Sequence, residues 1–207
     1  MKRVHFWKTV FLTLGVVFIL AISAFGIASL LAPISMMEFT ASIGLNSISG
    51  DYAYQEYERS ESIEYLARSF IIAADSGRDR TAENRFTILY GREDFGDYCT
   101  SKDASVDTDG LEGFTFRGYV CGLAARVRYR LASSPEDADM VIAFAVSETD
   151  ESFPQGNPVI ALTLEAVTAQ DSAFCSRLLL GLKEGSFDAE NADYLKMINI
   201  LEGAINE

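Results

Sequence analysis

Histidine is almost absent: among 207 residues the single one is His5, and none follows it. Without an imidazole in the body of the chain, Ser-His-Asp and Cys-His nucleophile activation are excluded there, as is every histidine-ligated metal site. Cysteine is scarce as well. Cys99, Cys121 and Cys175 form no CxxC pair and no zinc pattern, and an odd number rules out complete internal pairing. Two readings stay open, Cys121 and Cys175 as small apolar core residues or a Cys99–Cys121 bridge. Neither the dinucleotide-binding glycine fingerprint nor a P-loop occurs, so the loops that cradle phosphates are missing. Positive charge is short too: Lys2, Arg3 and Lys8 are three of the 17 basic residues, and the other 14 face 30 acidic ones, a net charge of -16. A region that negative repels a phosphate backbone, so nucleic acid is not an expected partner. It is also repelled by an anionic leaflet, and is expected to stand off one.

Charge of either sign is missing from residues 9–37, and within this stretch 9–32 is dominated by Val, Leu, Ile, Phe and Ala. A spanning helix needs about 20 apolar residues. Residues 9–32 are therefore expected to form a transmembrane helix in the lipid bilayer, with Pro33 marking its end. Trp7 sits where an interfacial aromatic belongs. Lys2, Arg3 and Lys8 precede the stretch and no basic residue follows it until Arg59. The positive-inside rule then makes 1–8 a cytoplasmic tip and 33–207 an extracytoplasmic domain on a single-pass membrane protein. Ala21 and Ser23, or Gly26 and Ala28, also satisfy the signal-peptide cleavage rule. The apolar run continues past either site, which favours an uncleaved anchor.

The remainder reads as short helices separated by capping and breaking residues. Ile63, Leu66, Ala67, Phe70, Ile71 and Ala74 follow the spacing of one helical face behind Ser62, closing at Asp75-Ser76-Gly77. A helix capped by Thr81 is expected to run to Tyr90, and a third carries Phe116, Tyr119, Val120, Leu123, Ala124, Val127 and Leu131. Ser134-Pro135-Glu136-Asp137 has the cap, proline and first-turn carboxylates of a helix start, and Asn157-Pro158 repeats the arrangement. Phe174, Leu178, Leu179 and Leu182 line a further helix, and Leu195, Ile198, Leu201 and Ile205 a last one starting near Asp188. The apolar runs 140–146 and 159–164 have some strand character, but their flanks favour helix. The polar, acidic loop 100–113 is expected to divide the domain into sub-blocks 33–100 and 114–207.

Helices of this length joined by short turns build antiparallel hairpin stacks. Gly50-Asp51-Tyr52 looks like the turn of a tetratricopeptide hairpin, and Tyr129, Ala138, Ile142 and Ala145 have the spacing that interlocks the two helices of such a repeat of about 34 residues. Arg126 and Gln55 stand where that pattern has small residues. Together with Ala32-Pro33, Ser62-Ile63-Glu64-Tyr65-Leu66-Ala67-Arg68, Asp94-Phe95-Gly96-Asp97-Tyr98-Cys99 and Ala161-Leu162-Thr163-Leu164-Glu165-Ala166, these segments resemble a group of uncharacterised bacterial single-pass membrane proteins with a tetratricopeptide-like domain. The resemblance implies an all-α fold: an N-terminal transmembrane helix followed by a tetratricopeptide-like stack of antiparallel helical hairpins. Its motifs are packing motifs and assign no activity.

Residues in patterns that carry chemistry are correspondingly few. Asp103, Asp107, Asp109 and Gly110 invite an EF-hand, but the register that fits Gly110 puts Ser105 and Phe116 where Asp and a bidentate Glu are needed. No catalytic, cofactor-binding or metal-ligating residue is therefore expected. Arg117, Arg126, Arg128 and Arg130 form the one basic concentration in the acidic domain. Either neighbouring acids neutralise them, or Arg117, Arg126 and Arg130 bind an acidic peptide or carboxylate, since guanidinium pairs bidentately. Tyr52, Tyr54, Tyr57 and Tyr65 are expected as filling between helices. The function these features suggest is a membrane-anchored helical module that binds a protein or peptide at the cell envelope, rather than an enzyme. The other readings are an envelope hydrolase working with carboxylates alone and a structural subunit of a membrane assembly.

Overall fold

Capping side chains set where helices begin. Thr115, Ser134, Asn157 and Asp171 each accept a hydrogen bond from the backbone N–H three residues on, which would otherwise lack a partner in the first helical turn. At Ser134 the bond is reciprocal, because Asp137 reaches back to the Ser134 N–H and completes a capping box. The structure, a computed structural model, describes residues 13–20, 23, 32–103, 115–151, 153 and 156–206.

Among these residues the fold is all-α, without strands. A first group of helices comprises α1 (Pro33–Ser42), α2 (Asn46–Ser60), α3 (Ile63–Asp75), α4 (Asp79–Tyr90) and α5 (Phe95–Asp103). A second comprises α6 (Phe116–Leu131), α7 (Pro135–Ser147), α8 (Pro158–Thr168), α9 (Ser172–Glu184) and α10 (Ala192–Asn206). Both runs with strand character are helical, in α7 and α8. Turns of two or three residues join α1 to α4, α6 to α7 and α8 to α9, so consecutive helices double back on each other. Most of 9–32 and all of 1–8 lie outside the described residues. Residues 13–20 are helical with exposed apolar side chains, and no described helix is long and apolar enough to cross a membrane.

Two apolar cores fill the domain. The first gathers Leu66, Phe70, Phe86, Leu89 and Phe95 from α3, α4 and α5 with Val120, Leu123 and Val127 of α6. The second gathers Val141, Val159, Leu162, Phe174, Leu178, Leu182 and Leu201 from α7 to α10, with Ala125 of α6. Residues 104–113 of the loop expected to divide the domain lie outside the described residues; α6, which follows it, gives residues to both cores. A small satellite core of Met36, Met37, Tyr52 and Ala53 fixes α1 to α2. Phe153, at φ 53° in the loop between α7 and α8, is fully buried and stacks edge-on against Phe187 and Tyr194. A bulky residue in that backbone region is strained, so the packing of its ring must hold it there.

Three expectations about boundaries are corrected. Gly50-Asp51-Tyr52 is not a turn but the middle of α2. Gly50 is buried against α3, where an added Cβ would lie 2.8 Å from Ile72 Cγ2, so its lack of a side chain serves close helix packing. Thr81 lies inside α4, which begins at Asp79. The last helix starts at Ala192, not near Asp188, because the Asn191 side chain accepts from the N–H groups of Asp193 and Tyr194.

The two kinds of helical glycine make opposite predictions. Gly50→Ala should lower stability by roughly 1–2 kcal/mol, the clash outweighing the gain in helix propensity. Gly203→Ala, in α10 with nothing within 4 Å of the new methyl, should raise it by about 0.5–1 kcal/mol. Urea unfolding midpoints of the two variants check this; equal shifts of one sign would contradict the packing role.

Candidate functional site

The arginines of α6 all reach carboxylates on other segments. At the start of the helix, Arg117 donates through Nε and Nη2 to Glu148 Oε2 at 3.0 and 2.9 Å. Glu148 follows α7, and its side chain is 8% exposed. Tyr90 donates to its other oxygen at 2.6 Å, and the Cys121 thiol points at Oε2 from 3.4 Å. The hydrogen bond to this carboxylate, with burial second, raises the Tyr90 pKa. Burial, with Glu148 beside it, pushes the Cys121 thiol far up, and burial takes Cys99 to about 11. All three cysteines are free and buried, so the candidate Cys99–Cys121 bridge is not formed. As protonated thiols they are not poised nucleophiles.

At the far end of α6, Arg126 donates through Nε to Glu165 Oε2 at 2.8 Å, and Arg130 Nη1 to Glu165 Oε1 at 3.0 Å. Arg130 also grips Asp79 of α4 with Nε and Nη2, the shorter contact being 2.7 Å. Burial works against the charge of Glu165, but the hydrogen bonds from Arg130 and Arg126 prevail and hold its pKa below the usual 4.5. Arg128 turns the other way, to Glu83 at 3.0 Å, with its guanidinium 4.3 Å from the Phe144 ring centroid and 5.0 Å from that of Phe86. Arg117 and Arg126 are nine residues apart, about 14 Å along the axis, so the three proposed partner-binding arginines do not form one cluster. Arg126 and Arg130 share Glu165; Arg117 stands apart.

Between α6 and α8 runs a groove of about 580 Å³ lined by Tyr119, Leu123, Ile160 and Leu164, with Arg126 and Glu165 among its polar residues. Gly122 makes it possible: a Cβ there would lie 3.2 Å from the Ala161 Cβ, so the two helices approach closely. Leu164 is 54% exposed in this groove. Arg126 commits only Nε to Glu165, and its side chain is 41% exposed. A more polar cavity of about 670 Å³ beside Arg117 and Glu148 is lined by Asp103, Thr115 and Asp150. Asp103 accepts from the Phe116 N–H there; the rest of the candidate calcium loop lies outside the described residues. Among the described residues no group of three or more His, Cys, Asp or Glu is placed to hold a metal ion. The groove itself was not visible in the sequence, since it forms between Tyr119 and Leu123 of α6 and Ile160 and Leu164 of α8, residues far apart along the chain.

The tyrosines pack as filling: Tyr52 is buried in the satellite core, Tyr65 packs against it, and Tyr54 and Tyr57 lean on the first core. A second ion-pair centre went unread in the sequence. Asp51 of α2 receives Arg78 at 2.9 Å and Arg85 at 2.7 Å, and Arg85 stacks 4.9 Å over Tyr54. No family model, curated protein or solved structure matches the chain.

Magnitudes separate the arginines. Arg117→Ala would leave a buried carboxylate short of its cation, at a cost of about 2–3 kcal/mol, reduced from the fully buried case because the guanidinium is 43% exposed. Arg126→Ala removes one contact of a half-exposed pair, worth about 0.2–1 kcal/mol. Chemical denaturation should rank them so, and a reversed order would contradict the geometry. Glu165 adds a pH signature. Its depressed pKa means that its stabilisation is present above 4.5 and is lost as pH falls through the folded value. The stability gap between wild type and Glu165→Gln should be full at neutral pH and close on acidification below that point. A gap that stays constant would refute the pairing.

Proposed function

We propose that the chain is a membrane-tethered helical module that binds a protein or peptide partner in the groove between α6 and α8. The observation that carries the reading is the groove itself. Its apolar lining supplies area, exposed Leu164 supplies a contact that water does not favour, and Arg126 keeps two guanidinium nitrogens for a partner's carbonyl or carboxylate. On this reading the arginine contact narrows to Arg126 with support from Arg130, while Arg117 serves the buried Glu148.

The tether, residues 9–32 as a transmembrane helix with 1–8 in the cytoplasm and the domain outside, rests on the charge-free apolar stretch and the basic residues before it. The stack of antiparallel hairpins is read as tetratricopeptide-like because α6 packs on both α7 and α8, α7 on α9, and α8 on α10, the neighbour and next-neighbour order of a helical repeat. A carboxylate-only hydrolase is less well supported. Such an enzyme needs one carboxyl held protonated as a general acid, and Glu165 is shifted the opposite way.

Site-specific photocrosslinking in native membranes tests the binding reading. A crosslinker at Ile160 or Leu164 should capture one discrete species that a crosslinker at exposed Leu195 of α10 does not. Capture at Ile160 should drop at least about tenfold, an energy of 1.4 kcal/mol, on adding Leu164→Arg. Identical products from all three positions would overturn the groove as the binding surface.

A further inference from the structure

The exposed apolar side chains are unevenly placed. Ile34, Phe39, Ile43, Leu45 and Ile48 are each 38–53% exposed and fall within residues 34–48, whereas the others in the domain are scattered one or two to a helix. Phe39 lies on α1, Ile43 caps its C-terminus, Leu45 is in the turn that follows, and Ile48 is in the first turn of α2. Charge is missing from the same place. Between residues 9 and 50 the one charged residue is Glu38; every other acidic residue comes later. Among the described residues the domain therefore has one apolar, nearly uncharged corner on an otherwise acidic body.

That corner is rigidly attached and close to the tether. Met36 and Met37 are buried, and the Ser49 hydroxyl donates to the Met37 carbonyl at 3.0 Å, so α1 is part of the folded domain from its first turn. It begins at Pro33, immediately after the apolar stretch 9–32. No linker intervenes. A helix of 10 residues is about 15 Å long, so no part of α1 lies further than that from the end of the stretch.

We infer that this corner is a second membrane contact, with α1 lying along the bilayer surface and Phe39, Ile43, Leu45 and Ile48 seated at the boundary between headgroups and acyl chains. The occupant of the apolar patch is the bilayer that carries residues 9–32, and the inference rests on the tether proposed above. Charge complementarity selects the face: the acidic remainder of the domain is repelled by anionic lipid, and this corner is not. Apolar side chains at such an interface reach about 5–10 Å into the headgroup and acyl boundary, which α1 attains by lying flat. The expectation that the domain stands off the surface is replaced by one in which it is docked on it by one end.

Depth-dependent fluorescence quenching tests this on the full chain reconstituted in phosphatidylcholine vesicles. A polarity-sensitive thiol dye is placed at Phe18→Cys, Phe39→Cys, Ile43→Cys or Leu195→Cys, with the unsubstituted chain, whose three cysteines are buried, as the labelling background. Lipids spin-labelled near the headgroup should quench positions 39 and 43 most, lipids labelled near the chain end should quench 18 most, and neither should quench 195. Quenching at 18, with 39 and 43 no more affected than 195, overturns the surface contact and leaves the tether standing. Quenching at none of the positions overturns the tether and the contact with it. A blue shift at 39 and 43 without lipid quenching assigns the corner to a second copy of the chain and overturns the inference.

Discussion

Helix α6 has almost no free face. It touches α3, α4 and α5 on one side and α7 and α8 on the other, and it gives residues to both apolar cores. Val120, Cys121, Ala124, Ala125 and Val127 are all fully buried along it. A helix enclosed this way leaves little room for polar side chains, and its arginines meet the constraint with length. Each guanidinium group meets a carboxylate from another segment. Arg130 spans from Asp79 of α4 to Glu165 of α8, and so crosses the seam between the two halves of the domain.

This arrangement orders the rest. Because Gly122 lets α8 lie close to α6, the groove between these two helices lies beside the ion pair of Arg126 and Glu165. Because Arg117 is consumed by a buried carboxylate that also holds Tyr90, it has a packing duty that Arg126 lacks. Away from α6, the exposed apolar side chains of α1 and its neighbours form a nearly uncharged corner.

How much was legible depended on whether the determinant was local. The helix over Ile63–Asp75 follows from one apolar stripe, and the starts at Ser134 and Asn157 from capping chemistry contained in four residues. Gly50 was misread because a glycine beside an aspartate is a turn signal in isolation; its actual cause, Ile72, lies on another helix. Asn191, not Asp188, starts the last helix because its side chain makes the capping bonds. The arginine cluster was visible and its neutralisation by acids was one of the readings weighed. The identity of the acids was not, since Asp79 and Glu83 of α4, Glu148 after α7 and Glu165 of α8 come from three different segments. The same holds for Phe153, a lone aromatic in a polar loop whose partners Phe187 and Tyr194 are more than thirty residues away.

If α6 binds the two cores into one body, they must open together. Native-state hydrogen exchange under increasing urea measures this directly, by comparing the slowest amides of α3 with those of α9. The account predicts that both sets converge on one opening free energy and one urea dependence, that of global unfolding. If the α9 amides reach an opening transition well below that of α3, the halves are independent and α6 is not what joins them.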